Sequence, residues 1–131
     1  MRKAMFMAAV VAAGGMGMAM AQDVPVETAK LNGATVTLHV QPFLDATELA
    51  TLRLVMTNAQ ALALFLPDNQ GFAAIAVAPD EGFIRGGAPV ASAVALGGLP
   101  DAQTAAAQAL AQCDANRKGG AACVLVLEVA P

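Results

Sequence analysis

The chain has 131 residues, 57% of them hydrophobic and 13% charged, with a formal net charge of −3, one histidine and two cysteines. That length fits a single domain with a modest core. An acidic, lysine-poor chain has no cation cluster with which to displace counterions from a phosphate backbone, so nucleic acid is excluded as a partner.

Met1-Arg2-Lys3 is a short positive segment, residues 4–18 carry no charge, and Ala19-Met20-Ala21 precedes Gln22. This order predicts a secretory signal peptide over residues 1–21, cut between Ala21 and Gln22, with Ala19 and Ala21 as the small residues of the cleavage site. The run is long enough to weigh as a membrane anchor. Gly14, Gly15 and Gly17 interrupt it, however, and a polar segment follows. No cysteine follows the run closely, so lipid attachment there is excluded. Cleavage removes Arg2 and Lys3 and takes the formal charge from −3 to −5, leaving Lys30 and Lys118 as the lysines. Membrane contact is expected only through the signal segment before cleavage, and the location is periplasmic or secreted.

Residues 22–33 are polar, contain Pro25, Asn32 and Gly33, and read as a loose N-terminal lead to one domain over residues 34–131. Residues 35–40 alternate and are β-branched, which predicts a strand with Val36, Leu38 and Val40 on one face and Thr35, Thr37 and His39 on the other. Asp45-Ala46-Thr47-Glu48 is a capping box, with Leu44 and Leu49 placed as a hydrophobic staple. A short helix over 45–51 is expected, then a strand near 52–57. Residues 49–57 suit either structure, because Leu52, Leu54 and Met56 alternate while Leu49, Leu52 and Met56 recur at helical spacing.

Apolar runs at 61–66 and 72–77 flank Pro67-Asp68-Asn69-Gln70-Gly71 and predict a β-hairpin. Pro79-Asp80-Glu81-Gly82 is a turn, and residues 83–85 start a short strand. Residues 88–99 are apolar between Gly-Gly pairs and carry no assignment. They suit an interior strand with a loop, or an exposed patch that meets a partner. Pro100 and Asp101 open the clearest helix, 101–116. It is rich in Ala and Gln, with Ala106, Ala109, Leu110 and Cys113 on one stripe. Arg117 and Lys118 suit its negative end, and Gly119-Gly120 stops it. Residues 123–129 are a closing strand. The fold class predicted is α+β: a small antiparallel sheet packed by one main C-terminal helix over 101–116, plus a short helix near 45–51.

From Gly71 the chain runs Gly-Phe-Ala-Ala-Ile-Ala-Val-Ala-Pro, then an Ala-rich helix ending Ala-Leu-Ala-Gln-Cys, then Cys-Val-Leu-Val-Leu. This half resembles a family of small secreted bacterial domains of unknown function built as strand–turn–strand, Ala-rich helix, Cys and strand. Those proteins often carry further cysteines after the last strand, and here none follows Cys123. Over its length the chain is also similar to short exported proteins of alphaproteobacterial type, some automatically labelled 5-aminolevulinic acid synthase. The residues do not support that label. A synthase of that name needs a Schiff-base lysine in a pocket and a phosphate cradle. Lys30 lies in the polar lead, Lys118 in a helix-end loop, and no Gly-rich loop joins a strand to a helix.

Cys113 and Cys123 predict a disulfide, since an even count in an exported chain pairs readily. A zinc site would need more ligands than these and His39. His39 is the one possible imidazole base or ligand, and a hydrogen-bonded surface histidine is the commoner role on such a face. Ser92 lies in no nucleophile elbow. Asp80 and Glu81 lack the spacing of a calcium loop. No catalytic, cofactor or metal residue is predicted, and no cofactor is expected. The expected function is a small exported, non-catalytic domain acting by binding an unidentified protein or small molecule. The alternative is a small periplasmic enzyme using His39 with nearby carboxylates.

Overall fold

A computed structural model describes residues 24–66 and 71–131; the signal segment and its cleavage site at Ala19, Ala21 and Gln22 lie outside the described residues. The fold is α+β. A five-stranded antiparallel sheet has the order β1-β2-β7-β3-β6, formed by β1 (Val26–Leu31), β2 (Ala34–His39), β3 (Phe72–Val77), β6 (Val94–Leu99) and β7 (Val124–Ala130). Strands β4 (Ile84–Arg85) and β5 (Ala88–Pro89) form a separate hairpin turned by Gly86-Gly87. The helices are α1 (Ala46–Thr57), α2 (Ala59–Phe65) and α3 (Ala102–Asn116).

Strand β3 has five consecutive buried residues because both of its faces are covered. Ala73, Ile75 and Val77 point to one side and pack with Leu52, Val55, Met56 and Leu62 of α1 and α2. Ala74 and Ala76 point to the other and meet Ala105, Ala109 and Cys113 of α3. Alanine against alanine lets α3 lie close to the sheet, at the expense of burial per residue. In β7 a register shift separates Leu127, paired with Ile75, from Leu125, paired with Ala76. Val126 is the extra residue of that bulge. Val126 and Leu127 therefore both join the α1 side, while Leu125 joins the α3 side.

Three expectations are corrected. The strand expected near 52–57 is helix, since α1 runs unbroken to Thr57. The helical period places Leu52, Val55 and Met56 inward and leaves Leu54 53% exposed. The hairpin over 61–66 and 72–77 is not formed, because the first run belongs to α2, whose N-cap Asn58 accepts from the Ala61 N–H at 3.0 Å. Residues 22–33 are not simply a loose lead: Val26–Leu31 forms β1, paired with β2 through the Asn32-Gly33 turn. Both turn residues have positive φ, 53° and 86°, which is the asparagine–glycine chemistry of a two-residue hairpin. The unassigned segment 88–99 supplies β5 and the edge strand β6.

Candidate functional site

Helix α1 packs on β1 and β2, whereas α3 packs on β3, β6 and β7. Among the described residues, no helix lies over the α3-side face of β1 and β2. By register, Thr28 lies beside Thr37, Lys30 beside Thr35 and Thr37 beside Glu128 on that face. His39 completes the row, and its Nε2 lies 2.6 Å from Glu128 Oε2. The two side chains are 24% and 33% exposed, so the pair is accessible and only partly screened by solvent. The α3 end at Ala102 forms a wall, and with Thr35, Thr37, Glu128 and Ala130 it bounds a shallow recess of about 130 Å³. A larger cleft of about 200 Å³ beside the β1–β2 turn has no ionisable side chain in its lining.

His39 was singled out from the sequence; Glu128 was not. Its partner is 89 residues away, and no local pattern encodes that pairing. The signal available was that Glu128 is the one polar residue of the apolar closing strand Val124–Ala130.

The remaining nucleophile types are committed elsewhere. Ser92 is buried and its hydroxyl donates to Glu81 Oε1 at 2.5 Å. The Ser92 hydroxyl and then the Lys118 N–H hold the Glu81 carboxyl below its ordinary range. Asp80 accepts from the Ala121 N–H at 2.9 Å, so both carboxylates of that turn brace the 117–121 loop. Cys113 and Cys123 form a disulfide across a separation of 10 residues, with Cα atoms 6.1 Å apart. Such bonds persist outside the reducing cytosol. Asp114 locks the same corner by accepting from the Cys123 N–H and from Arg117. The first of these bonds, then the second, lowers its carboxyl from the ordinary value.

Glu48 is the other buried polar group of note, with its side chain 1% exposed. Oε1 accepts from the Asp45 N–H, while Oε2 accepts from the N–H groups of Phe83 and Ile84 and from Arg85 Nη1 at 2.6–2.8 Å. Burial, the largest single influence, pushes this carboxyl up; the backbone donors and the Arg85 charge together outweigh it and hold it below the ordinary value. Oε2 is saturated and Oε1 is held by the cap, so Glu48 ties α1 to β4 as a structural group.

Among the described residues, no cluster of three or more His, Cys, Asp or Glu side chains could hold a metal ion, and no helix is long and apolar enough to cross a membrane. No family model matches the chain, and no curated protein or solved structure matches it.

Proposed function

We propose that this is a small exported domain, periplasmic or secreted, that acts by binding rather than by catalysis, of the kind its C-terminal half resembles. The observation that supports this is the polar half of the sheet that no described helix covers. Thr28, Thr35, Thr37, His39 and Glu128 present hydroxyls, an imidazole and a carboxylate from rigid strands, beside the wall made by α3. Hydroxyls, donors and acceptors held on strands suit a polar ligand, either a small molecule or a polar segment of a protein.

The test is amide chemical-shift mapping of the mature protein with a panel of sugars, amino acids and small carboxylic acids. Shifts confined to Thr35, Thr37, His39 and Glu128, and lost in Thr37→Val, are the expected result. Saturable shifts centred elsewhere would move the binding site. The export half of the proposal is read separately by intact mass: protein recovered outside the cytosol should lack residues 1–21.

A second reading, a small hydrolytic enzyme using His39, is favoured by the 2.6 Å His39–Glu128 contact, which could orient an imidazole as a base. Ser92 and both cysteines are engaged, so the nucleophile would be water or a threonine hydroxyl of the same face. Turnover of a chromogenic ester that disappears in a folded His39→Ala variant would decide for it.

A further inference from the structure

We infer that β1 is a self-association edge, at which two copies of this chain pair antiparallel about a two-fold axis through Thr28. The observation is the direction of the unpaired backbone groups. Val40 N–H donates to Pro25 C=O at 2.8 Å, and the β1–β2 register runs from Val26 opposite His39 to Leu31 opposite Ala34 without a bulge. In an antiparallel ladder the bonded pairs alternate. Pro25, Glu27, Ala29 and Leu31 therefore turn their backbone groups toward β2. Val26, Thr28 and Lys30 turn theirs outward, and no described strand lies on that side of β1.

Edges of this kind are usually blunted by proline, bulges or charge. The opposite edge is: β6 contains Gly97-Gly98 and its pairing with β3 carries a register shift. Within Val26–Leu31, Lys30 is the only basic residue and there is no proline. A closed, two-fold pairing also requires that the edge suit itself. With Thr28 opposite Thr28, Lys30 falls opposite Val26, which is 55% exposed, and Glu27 falls opposite Ala29. No like charges then face one another. Glu27 is already neutralised by Arg53 through bonds of 2.8 and 3.0 Å.

The same operation keeps α1 of both copies on one side of the joined sheet. The open groove between β1 and α1, where Ala29, Ala50 and Leu54 lie, would then be covered by its counterpart. About six main-chain hydrogen bonds form across the seam, and the exposed Leu54 side chains are brought to it.

Sedimentation of the mature protein over a concentration series tests this, beside the variant Thr28→Pro. The Thr28 N–H points outward, so proline there removes a donor from the seam and none from the β1–β2 ladder. The expected result is a wild-type dimer that dissociates on dilution, and a Thr28→Pro variant that stays monomeric with a near-unchanged melt. Amide exchange in the wild type reads the same seam without a substitution: Thr28 and Lys30 should be protected at high concentration and exchange freely on dilution. A wild type that is monomeric at every concentration, a dimer that survives Thr28→Pro, or fast exchange at Thr28 and Lys30 within a dimer would each overturn the inference.

Discussion

Glu48 shows how one side chain can serve two distant segments. As the third helical residue it closes the capping box with Asp45; as a buried carboxylate it gathers the N–H groups of Phe83 and Ile84 and the Arg85 guanidinium. Glu48→Ala strands those donors, so a loss of about 3 kcal/mol or more is expected. Glu48→Gln keeps one acceptor and should cost less. The folded-state carboxyl titrates below its ordinary value of 4.5. Its contribution is therefore complete above that value and is lost as pH falls through the depressed folded value. Thermal melts at pH 7 and at about pH 3.5 should show a smaller acid loss in Glu48→Gln than in the wild type; equal losses would mean that other groups set the acid limit. By contrast, the half-exposed His39–Glu128 pair contributes at most about 1 kcal/mol, so His39→Ala should melt near the wild type.

At the scale of elements, local chemistry was legible and partnership was not. Asp45 and Asp101 were readable as caps, and both accept from the third backbone N–H of their helices. Cys113 was readable as inward-facing, and it is buried against the sheet. The boundaries that misled have physical causes. Residues 52–57 alternate and repeat helically at once, and tertiary packing on β1 and β2 decides for helix. The run 61–66 is too short and uniformly apolar to show a period, and its one local marker is the Asn58 cap. Strand β1 is an edge with an exposed face, so its composition resembles a loop, although Asn32-Gly33 announced its turn. The face carrying His39 and Glu128 was half legible, since one strand supplied each member.

The disulfide joins α3 to the start of β7 through a short loop, for which chain entropy gives about 2–3 kcal/mol. Calorimetry with and without reductant should show that loss, and a Cys113→Ala, Cys123→Ala double variant should match the reduced protein. A reduced melt equal to the oxidised one would show that α3 docks without its staple. In the adjoining loop Gly120 has φ 81°, and a Cβ there would overlap the Asp80 carboxylate. Gly120→Ala is expected to cost about 1–3 kcal/mol and to free the Ala121 amide from Asp80, visible as faster exchange. A neutral melt would show that the loop can be rebuilt.

The whole molecule is a sheet clothed unequally. Large side chains from α1 and α2 fill one side, alanines admit α3 closely on the other, and among the described residues no helix covers the β1–β2 half of that second side. At the centre of this arrangement lies the last described strand, β7, between β2 and β3. Truncation before Val124 would leave β2 and β3 without a common neighbour and remove Val126, Leu127 and Val129 from the core. Such a chain should show no cooperative melt by circular dichroism; a sigmoidal transition would mean that β1–β2 and β3–β6 form a stable body without it.

Because the central strand follows every other described element in sequence, order along the chain and position in the sheet run against each other. Until residues 123–130 are made, β2 and β3 lack their common neighbour and Cys113 lacks its disulfide partner. Completion of the sheet is thus tied by topology to the arrival of β7.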